Sequence, residues 1–349
     1  MAYTNIDDPS AYFQTLLWTG NDVDGRALTN DGNSDLQPDL VWLKNRNVGY
    51  NHFLVDSSRG TSVYLSSNTT TADTTWTNLV ESFDTDGFTV GDDGSQVPNH
   101  TGNTFVAWQW KANGGTTSSN TNGTITSTIQ ANTDAGFNIV TYTGNGANSN
   151  FAHGMGEQPD MVIVKNRTSA ANWCVWHKDL TSSYYMQLDT TISQQTGPWD
   201  GLNPNSGVVF IYSGGLVNAS GSNYVAYIFK GKQGYSKFGK YVGNGNANGP
   251  FVYTGFKPAF VMIKNIDNGA GQWYMYDNKR DESNVMEQAL QAQGTNAEIT
   301  TSNKLDFVSN GIKHRGSNVT TNQNGSTHIY MAFAENPFVT STGIPTTAR

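Results

Sequence analysis

Three recurring basic triplets carry the first chemical signal in this sequence. Lys44-Asn45-Arg46 and Lys165-Asn166-Arg167 are repeated, with the arginine lost, at Lys264-Asn265-Ile266. A cation two residues from another on an extended chain lies on the same face, so the triplet reads either as an anion or ligand site or as a cross-strand structural pair. The structural reading predicts partners on the next strand, near Asp56 and the polar groups around His177. The ligand reading takes Lys44, Arg46, Lys165, Arg167 and Lys264, with Trp42 and Tyr276 as rings on which a sugar could stack.

A carboxylate cluster, Asp84, Asp86, Asp92 and Asp93, offers oxygen donors of the kind calcium takes. It lacks further oxygen ligands at alternating positions, and the other copies place Ser206 and Asn310 there. Turn-stabilising aspartates are the plainer reading, so no metal and no cofactor are expected. Nucleophilic chemistry finds no support: Gly234-Tyr235-Ser236-Lys237-Phe238 misses the second glycine of a nucleophile elbow. His52, His100, His153, His177, His314 and His328 show no paired metal spacing. Cys174 reads as a buried inert thiol, and no copy keeps a carboxylate pair for glycoside cleavage. Gly144-Asn145-Gly146 and Gly243-Asn244-Gly245 precede strands rather than helices, so they read as hairpin turns and not phosphate cradles. The chain is expected not to be an enzyme.

The elements that hold these residues repeat three times. Pro38-Asp39-Leu40-Val41-Trp42-Leu43-Lys44 returns as Pro159-Asp160-Met161-Val162-Ile163-Val164-Lys165 and as Pro258-Ala259-Phe260-Val261-Met262-Ile263-Lys264. The aromatic strands Phe105 to Trp110, Tyr224 to Phe229 and His328 to Phe333 close each copy. Turn glycines Gly87, Gly207 and Gly311 each precede an apolar residue, and positive φ is expected there. Short aromatic and β-branched runs between glycine turns predict an all-β fold of three tandem antiparallel β-sandwich modules, of jelly-roll or concanavalin-like type. Pro38, Pro159 and Pro258 should open the same strand in each. The expected division is 1–112 for the first module, 113–136 for a Gly/Ser/Thr/Asn-rich linker or loop, 137–231 and 232–338 for the others, and 339–349 for a loose polar tail. The one plausible helix is 282–293, a brief segment that reads equally as a single turn.

Composition narrows the function class. Charged residues are 14% and aromatic ones 12%, with 37 glycines in 349 residues, a profile of strands and turns rather than surface helices. A net charge of −8 without a basic run argues against nucleic acid as a partner. No apolar run reaches membrane-spanning length, so no membrane insertion is expected. Met1 to Tyr12 has neither a cationic nor an apolar leader region, and one cysteine allows no internal disulfide, which fits assembly in a reducing cytoplasm.

The chain resembles a module seen in virion structural proteins of marine tailed bacteriophages. The resemblance is carried by Ala2-Tyr3-Thr4-Asn5-Ile6-Asp7-Asp8-Pro9-Ser10, Gln37-Pro38-Asp39-Leu40-Val41-Trp42-Leu43-Lys44-Asn45-Arg46, Leu65-Ser66-Ser67-Asn68-Thr69-Thr70, Ser82-Phe83-Asp84-Thr85-Asp86-Gly87-Phe88 and Gly234-Tyr235-Ser236-Lys237-Phe238-Gly239. It implies a lectin-like sandwich in the virion, with other virion proteins and a host-surface glycan or protein as partners, and a homo-oligomer in the particle. It transfers no catalytic or ligand residue. The implied role is a tail-fibre or adhesin-type protein; the rival is a capsid decoration (cement) protein, with a polysaccharide depolymerase third.

Overall fold

The computed structural model describes residues 2–346 except Asp93, Gln96, Asp200 and Ala270; the side chains of Thr301 and Asn303 are also left aside. The chain is all-β, 44% strand and 2% helical, in several antiparallel sheets. The first large sheet runs Phe13–Thr19, Thr104–Trp110, Leu40–Asn45, His52–Asp56, Gly60–Leu65 and Thr74–Thr75. The second runs Phe137–Thr143, Asn223–Phe229, Met161–Asn166, Cys174–His177, Tyr184–Gln187 and Gln195–Thr196, preceded at its edge by Ser118–Asn120 and Ser127–Asn132. The third runs Ser236–Val242, Thr327–Pro337, Phe256–Asn265, Tyr274–Asp277, Met286–Gln291 and Ile299–Val308, then continues into Gly311–His314 and Phe251–Tyr253. Smaller sheets pair Gly87–Val90 with Arg26–Leu28 on one side and Ser82–Asp84 on the other, and Ser149–Ala152 with Val208–Ile211.

The pairing register places Trp42 opposite Trp108, Ile163 opposite Tyr227 and Met262 opposite Met331. All six residues of Leu40–Asn45 and of Met161–Asn166 are buried. Burial on both faces explains why these strands read as nearly continuous apolar runs, a pattern otherwise typical of covered parallel sheets. Alternation then divides the side chains between two cores. Val41 and Leu43 enter a core confined to residues 16–107, Val162 and Val164 one confined to 125–228, and Val261 and Ile263 one confined to 241–334. Leu40, Trp42, Met161, Ile163, Phe260 and Met262 face the other way, into one cluster built from all three large sheets. At its centre Trp110, Phe229 and Phe333 meet pairwise, with ring centroids 5.6 to 6.3 Å apart. Offset and edge contacts of this kind add to the burial of large rings.

Several expectations are corrected. The segment given to a linker or loop, 113–136, contains the strands Ser118–Asn120 and Ser127–Asn132, which pair with each other, the second also with Phe137–Thr143. Threonine and serine suit an exposed edge strand, whatever their share in flexible linkers. The segment 282–293 is not helical: Met286–Gln291 is a strand whose Met286, Ala289 and Leu290 are buried. The one α-helix among the described residues is Val319–Asn322. The tail is tied down through residue 346, with Ser341 N donating to Asp7 Oδ1 at 2.6 Å and Thr346 N to Phe338 O at 3.3 Å.

The turn glycines split three ways. Gly87 has φ +103°. Gly207 and Gly311 are outside the left-handed region, contrary to the expectation. Gly311 is required for close approach instead, since a Cβ there would lie 2.2 Å from Val252 O; at Gly207 the nearest atom is 3.6 Å away. Pro38 and Pro159 sit two residues before Leu40–Asn45 and Met161–Asn166, while Pro258 lies inside Phe256–Asn265, at a register shift opposite Ala334.

Candidate functional site

Each lysine of the repeated triplet lies on the strand face that points into the shared cluster, in line with Leu40 and Trp42 or their counterparts. Lys44, Lys165 and Lys264 are fully buried. Each ammonium is held by carbonyls, one set of them from a neighbouring sheet's loop. Lys44 Nζ donates to Asn45 O at 2.8 Å and to Thr295 O at 3.3 Å. Lys165 Nζ donates to Ala171 O at 2.8 Å and to Thr70 O at 2.9 Å. Lys264 Nζ donates to Gly271 O and, at 2.8 Å, to Thr191 O. Burial pushes Lys44 and Lys264 down to about 7 and Lys165 to about 8. The direction of reach is cyclic: the first sheet to the third, the second to the first, the third to the second.

The arginines follow the same ring. Arg46 forms a bidentate pair with Glu298, at 3.0 and 2.8 Å, and Arg167 Nε meets Asp73 at 2.8 Å. The main chain repeats the contact where the arginine is lost. Glu298 N donates to Arg46 O, Asp73 N to Arg167 O, and Gln194 N to Ile266 O at 2.9 Å. The expectation of cross-strand partners near Asp56 and His177 is therefore corrected: the triplets bind across sheets, not across strands.

Asp56 is occupied by a residue the sequence reading missed. Arg59 Nε lies 2.5 Å from Asp56, its Nη1 3.0 Å from Asp73, and Tyr227 Oη donates to Asp56 at 2.7 Å. The same arrangement recurs with Arg280: 2.6 Å to Asp277, 3.2 Å to Glu298, and Trp108 Nε1 donating to Asp277 at 3.0 Å. The signal was present as Asp56-x-x-Arg59 and Asp277-x-x-Arg280. At the third equivalent position His177 replaces the aspartate; its ring nitrogen is 3.3 Å from Tyr330 O, and burial drives it down to about 3. A fourth ring of contacts follows from Trp173 Nε1 to Ser66 O at 2.8 Å, Trp273 Nε1 to Gln187 O at 2.9 Å, and His52 Nε2 at 3.0 Å from Gln291 O.

The remaining candidates stay apart from any ligand surface. Trp42 is buried and donates to His52 Nδ1 at 2.9 Å; Tyr276 is fully buried in the third sandwich core. Neither presents a face on which a sugar could stack. Asp84 accepts from Ser82 and Thr89 and Asp92 from Gly94 N, all local contacts, while Asp86 accepts Leu36 N from a distant loop. Asp93 lies outside the described residues. Among the described residues no three His, Cys, Asp or Glu side chains gather to hold a metal ion. Cys174 is buried, and burial raises its thiol well above the ordinary range. No helix among the described residues is long and apolar enough to cross a membrane.

A family model described as "Domain of unknown function (DUF7483)" matches residues 8–337. No curated protein matches the sequence, and no solved structure matches the fold.

Proposed function

The chain belongs to the DUF7483 family, whose description names no activity, and we propose that it is a non-enzymatic exterior protein of a tailed-bacteriophage virion, of tail-fibre or adhesin type. In this reading three jelly-roll-like sandwich modules, related by internal repeat, close around a common axis within one polypeptide. One observation carries it. The most regularly repeated residues, Lys44, Lys165 and Lys264, are consumed by contacts between large sheets, and the Trp110–Phe229–Phe333 triangle stands where three equivalent strands would meet on the axis. The repeat motif then serves construction, not chemistry. Contact with a partner falls to the outer loops and to the seams between modules. The phage setting rests on the sequence resemblance alone.

Purified chain labelled with a fluorophore is expected to bind host cells and to slow phage adsorption, without releasing reducing sugar from host polysaccharide. Binding to stripped capsids with no binding to cells would overturn this in favour of the cement protein. Sugar release abolished by replacing one carboxylate would overturn it in favour of the depolymerase.

A further inference from the structure

The amino-terminal segment crosses the seam between the second and third large sheets. Tyr3 Oη donates to Gly255 O at 2.7 Å and lies 3.3 Å from Tyr253 Oη, and Thr4 Oγ1 donates to Gln233 O at 2.7 Å. Beside this strap is an open cavity of about 390 Å³ whose walls include Lys178, Lys230, Lys232, Lys237, Tyr3 and Tyr253. Four lysines lining one cavity are unexpected in a chain of net charge −8.

Local carboxylates do not balance them. Asp160 lies 3.1 Å from Lys178 and 3.7 Å from Lys230, and it also accepts Gly231 N at 2.7 Å. Glu157 takes Lys232 at 2.6 Å. Lys237 donates to Tyr253 O at 2.8 Å and stands 4.9 Å from the centre of the Tyr253 ring. Among the described residues no carboxylate comes within ion-pair distance of Lys237. Burial and the neighbouring Lys178 both lower its basicity, the mark of a cation among cations. Tyr253 remains half exposed.

The corresponding seams are built otherwise. Register puts Asp39, Asp160 and Ala259 at matching positions, each one residue before Leu40, Met161 and Phe260. The carboxylate of Asp39 is saturated by Ala112 N, Gly114 N, Gly115 N and Ser57 Oγ, at 2.7 to 2.9 Å. In the third seam Ala259 removes the carboxylate and Asn278 stands where Lys178 does, with Asn278 Nδ2 donating to Glu335 at 2.9 Å. Among the described residues, the seam between the second and third large sheets combines an open cavity, four lysines facing two carboxylates, and a half-exposed ring.

We propose that this seam binds an anionic sugar residue, with Lys178, Lys230 and Lys237 holding its carboxylate or sulfate and Tyr253 and Tyr3 packing against its ring. Ammonium groups act on such an anion as point charges with free rotation, and an aromatic face suits the apolar face of a pyranose. The site supplies a ligand class for the surface-contact reading. It rests on that reading only for the source of the sugar, so binding by purified protein tests it separately from location in the virion.

The test is titration calorimetry of the full chain with a galacturonate trisaccharide, a sulfated heparin-derived tetrasaccharide, neutral maltotetraose, inorganic sulfate and a glutamate oligopeptide. At least one acidic saccharide is expected to bind, more weakly as salt is added, and more tightly than maltotetraose, sulfate or the peptide. The double variant Lys178→Gln/Lys237→Gln should lose affinity about tenfold or more with its melting temperature held, while Lys304→Gln, away from the seam, leaves binding unchanged. Tyr253→Leu should weaken the saccharide and not sulfate. No acidic saccharide binding, binding untouched by the double variant, or equal affinity for maltotetraose, sulfate or the peptide would each overturn the proposal.

Discussion

Lys44, Lys165 and Lys264 give the molecule an unusual response to pH. Their folded values, about 7, 8 and 7, lie below the ordinary lysine value of roughly 10.4. Between those limits the unfolded chain binds more protons than the folded one, so stability rises with pH. Buried tyrosines such as Tyr227, Tyr241 and Tyr276, whose ionisation burial raises far above its usual range, reverse the trend above about pH 10. Melting temperature at constant ionic strength is therefore expected to climb from pH 7 to pH 9.5. The triple variant Lys44→Met/Lys165→Met/Lys264→Met should flatten that climb, even if its orphaned carbonyls lower the whole curve; an unchanged slope would refute the assignment. On the acid side His177, His314 and His328 fall to about 3, 3 and 4. The unfolded state takes up protons first as pH drops below about 6.5, so stability contributed by these neutral rings is lost between there and about pH 3. Asp189, raised to about 6 by burial, opposes part of that loss. Glycine gives a sharper residue-scale contrast. Gly311→Ala drives a Cβ against Val252 O and should cost about 1–3 kcal/mol, while Gly207→Ala should stay within about 0.5 kcal/mol. Paired chemical denaturation curves decide it, and equal losses would refute the close-approach account.

At the scale of strands and seams, the Asp56–Arg59 and Asp277–Arg280 pairs are buried on both sides. Removing one partner of such a pair leaves an uncompensated charge and costs about 3–5 kcal/mol. Asp277→Ala is expected in that range, and His177→Ala below it, because the neutral imidazole leaves no stranded ion; urea titrations yielding the reverse order would contradict the seam account. Strand positions were legible in the sequence because Leu40-Val41-Trp42-Leu43 and its counterparts repeat in fixed order between glycine turns. The partners of Lys44 were not. Period-two alternation puts Lys44 with Leu40 and Trp42 on one face, but only the assembly of three sheets decides that this face is covered. The strand Met286–Gln291 was hidden by Met, Glu, Gln, Ala and Leu, good helix formers whose propensity is overridden by pairing with Tyr274–Asp277. Ser127–Asn132 was hidden by a composition shared with flexible linkers. The lysine-lined seam was illegible for a different reason: Lys178, Lys230 and Lys237 are scattered, and only the return of the chain beside Tyr3 gathers them.

The shared cluster draws on all three large sheets and argues for one cooperative unit. Phe13, Trp42, Trp108 and Trp110 from the first large sheet pack with Tyr227 and Phe229 from the second and Phe260 and Phe333 from the third. One large sheet taken alone would expose that face, together with the buried Lys44 or its counterpart stripped of a carbonyl partner. Exposed apolar patches of this kind drive association rather than stable folding. Each large sheet also borders a core of its own, such as Leu43, Val55, Phe88 and Phe105, so partial independence is the competing expectation. The balance favours coupling, because loss of one large sheet strands two faces at once, one on each neighbour, and cuts two of the three lysine and ring contacts that close the cycle. Calorimetry of the full chain is therefore expected to show one unfolding transition with equal calorimetric and van't Hoff enthalpies. Residues 12–111 expressed alone should aggregate or remain unfolded, and Trp110→Ala should lower the single transition by the about 3–5 kcal/mol of a truncated core aromatic without splitting it. Three resolved transitions, or a soluble, cooperatively melting 12–111 fragment, would show that the modules fold as beads on one string.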